Sequence, residues 1–399
     1  MALLASADSQ GSPSGLWSGW SRFVPRLSWH DNELVGYLPA DRSTTIAKSL
    51  AQAGSDAQLV LQAHVDPAHL VVQEPEAWHN QRPRRERSKA FNALGDEASL
   101  RRMLDPATLR SASDAALIAY IAAFLSPQQA RQSDAVLLPA HVAGGYGSAA
   151  REGELRLATV ATALVRRRSL AELDDRRKPL LVGIAIRAPD IRSPAAAVAL
   201  ARSYAMLDCD GFWVQFAGLS EAERVARVSA CATFLFALQD LSDRRVFAVD
   251  TKNLTWPLLA AGLAGGCIGI GEREAWSGPR AASTKPREIK PTVVHSGLLR
   301  NFRVGGPHIA AAFRPVACGC GAHPAGRPPL TRTEIRRHAL HVRLQMASAV
   351  TGDNAIAVID RWLYDAGWCA YDLGLEPPPA AAYRAALEAA VSWRAAGES

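Results

Sequence analysis

The chain has 399 residues, of which 48% are hydrophobic and 21% charged, and it carries a formal net charge of +7 at pH 7. This length and hydrophobicity allow one large domain or two ordinary ones, and they exclude an intrinsically disordered protein. No run of about twenty apolar residues is present, so we expect no membrane-spanning helix. The first residues lack the basic start and apolar stretch of a signal peptide, so export is not expected.

Cysteine content and charge narrow the class further. Six cysteines in 399 residues are too few for a disulfide scaffold, and this sparse use predicts a cytoplasmic protein in a reducing compartment. Lysine and arginine number 45 against 38 acidic residues, and arginine clusters occur at 82–87, 166–168 and 336–337. Arginine suits phosphate, so these clusters indicate either a nucleic-acid-binding surface or an arginine-biased composition without a ligand.

Strand-like and helix-like segments alternate along most of the chain. Residues 1–30 are small and polar with three tryptophans, which predicts an N-terminal arm. The predicted strands are 34–38, 59–63, 135–139, 180–187, 211–216, 246–250 and 267–270, with an eighth candidate at 291–295. The predicted helices between them are 44–53, 88–104, 113–125, 152–173, 194–207, 221–241 and 257–263.

Continuous apolar strands separated by amphipathic helices indicate parallel strands that are buried on both faces. No glycine-rich phosphate fingerprint opens the series, which favours a barrel over a doubly wound sheet. The sequence therefore predicts an α/β fold, a (β/α)8 TIM-like barrel over residues 31–300 with an insertion near 75–112. For residues 301–399 the sequence predicts a loop and a C-terminal helical appendage, with helices at 331–350, 353–365 and 379–396. The first of these opens on a capping box, Thr331 followed by Glu334.

Polar side chains stand at the ends of most predicted strands. In a barrel these ends converge on the C-terminal mouth, where active sites of this fold lie. The ordinary alternative is that a strand turns polar where it meets solvent, but so many ionisable groups together favour a functional mouth. The predicted substrate-binding residues are His64, Asp66, Arg187, Gln215, Trp213 and Asn253, and the predicted catalytic residues are His141, Asp250, Lys252 and Glu272.

Two interpretations are open for the segment Asp250-Thr251-Lys252-Asn253. A lysine at a barrel mouth can form a Schiff base with a carbonyl substrate, while a neighbouring carboxylate moves the protons. The same residues also resemble a capping turn, in which Asn253 or Thr255 caps the helix that follows.

From about residue 179 the order of segments resembles the tRNA-guanine transglycosylase family. The matching segments are LLVGIAIRA (180–188), DGFWVQFAGLSEAERV (210–225), RRVFAVDTKNLTWPLLAAGLAGG (244–266), CIGIGERE (267–274) and ACGCGAH (317–323). The last stands in the place of the family's zinc motif. The resemblance implies a TIM-barrel transferase that acts on nucleic-acid bases, with tRNA or DNA as its partner.

The chain departs from the family at its catalytic motifs. The strand that carries the nucleophilic Asp in the family reads Gly265-Gly266-Cys267-Ile268 here, and residues 141–146 echo the acid/base motif without its Asp. Base exchange requires a carboxylate that attacks the sugar. Three functions stay open: a transglycosylase-like protein that acts on or binds bases, a small-molecule barrel enzyme that uses Lys252 or the mouth carboxylates, and a non-catalytic nucleic-acid-binding or partner subunit.

Cys318-x-Cys320-x2-His323 has the spacing of a metal site. Two thiolates and one imidazole can hold Zn²⁺, which prefers four nitrogen and sulfur ligands in tetrahedral geometry. His338 or His341, one turn apart on the predicted helix, would supply the fourth ligand. The sequence therefore predicts a structural Zn²⁺ site, with a plain Gly/Pro surface loop as the alternative.

Overall fold

A computed structural model describes residues 2–6, 34–37, 106–130, 136–138, 140–143, 145–171, 180–249, 251–269, 292–306, 308–313, 323, 327–350 and 354–397. The predicted strand 59–63 and the predicted helices 44–53 and 88–104 lie outside these residues. So do His64, Asp66, Asp250, Glu272, Cys318 and Cys320 among the predicted site residues.

The chain is a mixed α/β protein built on a parallel sheet. The strands are β1 (Ala2–Ser6), β2 (Leu34–Tyr37), β3 (Val136–Leu137), β4 (Val142–Ala143), β5 (Leu180–Arg187), β6 (Gly211–Ala217), β7 (Arg245–Val249) and β8 (Gly265–Gly269). Their order across the sheet is β2-β1-β8-β7-β6-β5-β3, and β4 also pairs with β5. All of these pairings are parallel.

Both faces of the central strands are buried. In β6, Phe212, Val214 and Phe216 join the main core with the helices. The intervening Trp213 and Gln215 lie on the opposite face and are each only 1% exposed. Burial on both faces explains why these strands are continuous apolar segments, and it confirms the predicted parallel α/β arrangement.

Strand β1 differs from the sequence prediction, which placed residues 1–30 in an N-terminal arm. Ala2–Ser6 instead pairs with both β2 and β8, with Leu4 in register with Cys267. The apolar segment Ala2–Ala5 suits a sheet buried on both faces. The residues that follow are small and polar, so the sequence pattern of this region did not indicate a strand. Residues 7–30 of the predicted arm lie outside the described part of the chain.

The prediction of an eighth barrel strand at 291–295 was wrong. Strand β9 (Thr292–His295) pairs antiparallel with β10 (Arg300–Arg303) in a separate two-stranded sheet. The two strands are joined by a short turn, Ser296–Leu298, and by Leu299 at a φ of 49°. A connection this short permits only a hairpin, because a parallel partner requires a crossover of a dozen or more residues.

Eight of the described helices follow predicted ones with shifted ends, and two short helices were not predicted. In chain order the helices are α1 (Pro106–Leu109), α2 (Asp114–Ala130), α3 (Ala149–Ala171), α4 (Pro194–Ala205), α5 (Val225–Ser242), α6 (Thr255–Ala260), α7 (Ile309–Phe313), α8 (Arg332–Ala349), α9 (Ala355–Asp372) and α10 (Ala380–Gly397). The two that were not predicted are α1 and α7. The largest shift is in α9, which runs to Asp372 instead of ending near residue 365. Among the described helices, none is long and apolar enough to cross a bilayer.

The predicted capping box at the start of α8 is confirmed. The backbone N–H of Thr331 donates to the Glu334 carboxylate (3.0 Å), and the backbone N–H of Glu334 donates to the Thr331 hydroxyl (3.2 Å). The N–H of Leu330 also donates to Glu334 (2.8 Å), as does the Arg327 guanidinium (2.8 Å). Together these bonds lower the pKa of Glu334 from 4.5 to about 2, with the largest contributions from the N–H groups of Thr331 and Leu330 and a smaller one from Arg327.

This capping box predicts a pH-dependent stability. Because folding lowers the pKa of Glu334, its carboxylate stabilises the fold above pH 4.5, and that contribution is lost as the pH falls from 4.5 towards 2. We expect Glu334→Gln to unfold at lower denaturant than wild type at pH 7, and the gap between them to shrink steadily below pH 4.5. Glu388→Gln, at an exposed position of α10, is the matched control. A gap that stays constant between pH 7 and pH 3 would contradict the prediction.

Candidate functional site

The carboxyl-terminal edge of the parallel sheet carries the exposed polar side chains. Arg187 is the last residue of β5, and its side chain is 51% exposed and forms an ion pair with Asp190 (Nε–Oδ2 2.9 Å). Lys252 follows β7 and is partly exposed. Tyr146 follows β4 and is 58% exposed. Because the strands are parallel, these residues lie at one edge, where α/β proteins bind their ligands.

A close backbone contact joins the turns after β4 and β5. A Cβ atom on Gly145 would lie 2.5 Å from the carbonyl oxygen of Asp190, so only glycine fits between the two turns. The turn with Tyr146 therefore packs against the turn with Arg187 and Asp190. The sequence placed Asp190 among the polar strand ends and Tyr146 in the 141–146 segment, but it assigned neither a catalytic nor a binding role. The signal that could have found them is the Gly145-Tyr146-Gly147 turn directly after a strand.

Lys252 has a strained backbone at this edge. Its φ is 50°, in the left-handed region that a non-glycine residue rarely adopts. The neighbouring side chains hold it there: the buried Thr251 hydroxyl bonds the Thr255 hydroxyl (2.8 Å), and Asn253 Nδ2 donates to the Leu299 carbonyl (3.0 Å). Strain of this kind persists where the surroundings impose it, often at functional sites.

The prediction that Asn253 or Thr255 caps the helix was wrong. The residue at the start of α6 is Leu254, and no side chain accepts a capping hydrogen bond there. Asn253 instead ties the end of β7 to the hairpin of β9 and β10 through Leu299. Its side chain is 1% exposed, so it supports the edge from beneath.

Gln215 and Trp213 lie inside the protein. Gln215 is in register with Ala185 and Val249, one layer of side chains below Arg187. The Trp213 ring packs against Phe247, with ring centroids 6.4 Å apart. Contact between either residue and a substrate therefore requires a cavity that reaches below the edge of the sheet.

His141 belongs to a buried hydrogen-bonded cluster. The ring is fully buried, its Nδ1 is paired with the Glu154 carboxylate, and its Nε2 lies 2.7 Å from the Tyr120 hydroxyl. Burial, followed by the charge of Glu154, raises the pKa of Tyr120 well above its usual value. The Tyr120 hydroxyl therefore stays protonated and can donate to His141. Both ring nitrogens are engaged within the protein, so a direct contact with a substrate would require His141 to leave both partners.

A second buried charge lies one turn from Glu154 on α3. Arg151, 1% exposed, donates through Nη1 to the Tyr204 hydroxyl (2.7 Å). Its Nη2 donates to the carbonyls of Ala143 (2.8 Å) and Ala185 (3.1 Å). One guanidinium thus joins α3, α4, β4 and β5 directly beneath the edge that carries Tyr146 and Arg187. Sequence patterns gave no reason to bury this arginine.

Two of the predicted zinc ligands lie next to each other. His323 Nε2 is 3.1 Å from His338 Nδ1, and both side chains are buried. The Phe313 ring packs against both imidazoles, with centroids 6.0 Å and 5.5 Å away. His341 lies on α8, within the described backbone, but its side chain is not described. In the part of the chain that the structure describes, no three potential ligands gather around one point.

The geometry of the two imidazoles fits a tetrahedral metal site. His338 Nε2–H donates to the Val294 carbonyl (2.7 Å), which leaves Nδ1 without a proton and facing His323. Metal-ligating histidines usually donate their other ring N–H to a carbonyl or carboxylate in this way. Two nitrogens that bind one tetrahedral zinc lie roughly 3.3 Å apart, close to the observed separation. The same separation is that of a hydrogen bond from His323 Nε2–H to His338 Nδ1, so the two histidines are compatible with Zn²⁺ but supply only two of its four ligands.

A comparison with protein-family models, curated proteins and solved structures finds no match to this chain. The likeness to the tRNA-guanine transglycosylase family therefore rests on the order and spacing of segments in this sequence. The membership stays a prediction, and so do the catalytic roles of His141, Asp250, Glu272 and Lys252.

Proposed function

We propose that the chain is a transglycosylase-like (β/α)8 barrel that acts on or binds nucleic-acid bases at the carboxyl-terminal edge of its parallel sheet. The pairing of β1 with β8 supports the barrel, because in that fold the first and last strands are neighbours; the described sheet ends at β2 and β3, and no described pairing joins these two strands. The strand order also follows the chain order from β5 to β8, as it does around a barrel.

The observation that carries the proposal is the exposed aromatic ring and the cations at this edge. Tyr146 lies on a turn that packs against the turn of Arg187. Lys252 follows β7, which is two strands away from β5 in the sheet. Aromatic faces stack on unpaired bases, and arginine binds phosphate through its planar fork. Asp190 holds the Arg187 guanidinium in place. Chemistry beyond binding is assigned to Asp250, Lys252 and Glu272, of which the structure describes Lys252.

Salt-dependent binding tests this proposal. We expect labelled tRNA to bind with an affinity that falls steeply with salt, because phosphate contacts release counterions. Arg187→Ala should weaken binding and reduce the slope of log K against log salt by about 1, the effect of losing one phosphate contact. Tyr146→Ala should weaken binding by about 1–3 kcal/mol without changing that slope, because stacking releases no counterion.

Arg244→Ala is the matched control, because Arg244 is exposed and directly precedes β7 at the opposite edge of the sheet. It should leave both affinity and slope close to wild type. Duplex DNA serves as the second probe, since a preference for tRNA over duplex distinguishes base contacts from charge alone. No binding of either nucleic acid at low salt, or equal effects of Arg187→Ala and Arg244→Ala, would overturn the proposal.

We also propose that His323 and His338 bind a structural Zn²⁺ together with Cys318 and Cys320. The support is the 3.1 Å separation of the two ring nitrogens and the carbonyl that fixes the tautomer of His338. Bound there, zinc would join the segment around His323 to helix α8. Four protein ligands leave no open position for water, so its role would be structural.

A further inference from the structure

Helix α9 has a second apolar face that no described part of the chain covers. Its inner face packs into the core through Ile359 and Leu363. On its outer face Tyr364, Trp368 and Tyr371 are 66%, 55% and 77% exposed. Their rings contact one another, with centroids 6.3 Å and 6.1 Å apart. This aromatic stripe (Tyr364, Trp368 and Tyr371) exposes roughly 400 Å² of ring surface, a patch size typical of interaction sites.

The spacing of the aromatic stripe matches a helix partner. Intervals of three, four and three residues separate the side chains along this face, which are Arg361, Tyr364, Trp368 and Tyr371. This is the spacing of the seam along which two helices pack. A second helix laid along α9 would contact all four side chains at once.

Gly367 gives an independent indication of a close neighbour. It lies in the middle of α9, where glycine destabilises a helix relative to alanine. A Cβ atom built on it would meet nothing within 4 Å, so packing within this chain does not require a glycine there. A helix that crosses α9 closely at this point would require one.

The charges around the aromatic stripe exclude nucleic acid as its partner. Four exposed carboxylates lie around it, those of Asp360, Asp365, Asp372 and Glu376. Among the described residues, Arg361 pairs with Asp365 and Arg300 with Glu376 (3.5 Å), so the carboxylates still outnumber the cations. Although aromatic rings can stack on bases, this excess of carboxylates repels phosphates. The aromatic stripe therefore fits a protein, and this binding surface is separate from the one in the proposed function.

We propose that the aromatic stripe pairs with the same stripe on a second copy of this chain, in an antiparallel arrangement about a twofold axis. A crossing near Gly367 brings Tyr364 beside Trp368 of the second copy. The same crossing brings Arg361 beside Tyr371 and Asp372 of the second copy, where it gains both an aromatic face and a carboxylate. The twofold axis makes each contact twice.

Charge selects the antiparallel direction. In a parallel pair, Arg361 would face Arg361 and Asp372 would face Asp372, so like charges would meet at both ends of the seam. In the antiparallel pair the cation of each copy meets the anion of the other. Within one chain Arg361 is 83% exposed and lies only 3.6 Å from Asp365, a weak surface pair that leaves it available to a second copy.

Sedimentation of the full chain over a range of concentrations tests the pairing. We expect a monomer–dimer equilibrium in wild type. Trp368→Ala should raise the dimer Kd by roughly thirtyfold or more, as truncation of a central interface aromatic does. Gly367→Leu should weaken the dimer as well, because the side chain fills the crossing point. Val391→Ala, at a 58% exposed position on α10, is the control and should leave the Kd unchanged.

Charge reversal tests the direction of the pair. Arg361→Glu and Asp372→Arg should each weaken the dimer by roughly tenfold, and the combined variant should restore it, because both pairs are then reversed together. All of these positions are exposed, and circular dichroism checks that each variant is folded. A chain that stays monomeric, a Trp368→Ala dimer as stable as wild type, or a double reversal that remains weak would each overturn the proposal.

Discussion

Arg151→Met should lower the free energy of unfolding by about 3–5 kcal/mol, the cost of removing one member of a buried charged network. Arg151 is 1% exposed and donates to Tyr204, Ala143 and Ala185 at 2.7–3.1 Å. The substitution removes these three donors, and each buried acceptor left without its partner costs about 1–3 kcal/mol. Methionine fills part of the space, so the loss measures hydrogen bonding and charge more than a cavity.

Two further variants make this prediction specific. Arg151→Lys keeps the charge but not the planar fork, so it should retain part of the stability. Arg244→Met replaces an exposed arginine and should change the free energy of unfolding by less than about 0.5 kcal/mol. Urea denaturation at pH 7 gives all three values. A loss below about 1 kcal/mol for Arg151→Met would show that the network is not an important source of stability.

The buried side chains of Arg151 and Glu154 on α3 also position the proposed binding edge. Arg151 joins the carbonyls of Ala143 and Ala185, which lie at the ends of β4 and β5, just below Tyr146 and Arg187. Glu154, one turn along α3, receives the backbone N–H of His141. The buried charges therefore hold the two turns of the edge in register. A weakened Arg151 variant that still folds should bind nucleic acid less well without any change at Tyr146 or Arg187.

The sheet and helices could be predicted because their signals are local. Leu180–Arg187 and Gly211–Ala217 are continuous apolar segments, and burial on both faces produces that pattern. The capping box at Thr331 and Glu334 lies within four consecutive residues, and the structure confirms it. The strand at residues 292–295 was wrongly assigned to the barrel, because its direction of pairing depends on the short turn that follows it.

The buried cluster could not be predicted because its partners lie far apart in the sequence. Arg151 and Tyr204 are 53 positions apart, and His141 and Tyr120 are 21 apart. A helix pattern places charged residues such as Arg151 and Glu154 on the solvent side, since burial of an unpaired charge is costly. Only the fold shows that the partners which offset this cost are present. His323 lies next to one of the two candidates for the fourth ligand of the predicted zinc site, His338, and zinc binding itself stays a proposal.

Removal of zinc should loosen the segment around His323 and the start of α8, while α8, α9 and α10 stay packed in the main core. If His323 and His338 bind Zn²⁺ with Cys318 and Cys320, protein purified without a histidine tag should contain about one zinc per chain. His338→Ala removes one ligand and should reduce this ratio to less than about 0.2, and the thermal midpoint should fall with it. His308→Ala, at an exposed position just before α7, should change neither quantity.

A conservative variant distinguishes metal binding from packing. His338→Cys supplies a thiolate in place of the imidazole, so it should retain most of the zinc although it loses the contact with Phe313 and the bond to Val294. If His323 and His338 were joined by a simple hydrogen bond, His338→Ala and His338→Cys would destabilise the protein alike, and a chelator would leave wild type unchanged. We expect the opposite: the chelator should lower the thermal midpoint of wild type to near that of His338→Ala, and it should have little effect on His338→Ala itself. Metal-free wild-type protein with an unchanged midpoint would show that no zinc site exists there, and that the two histidines serve packing alone.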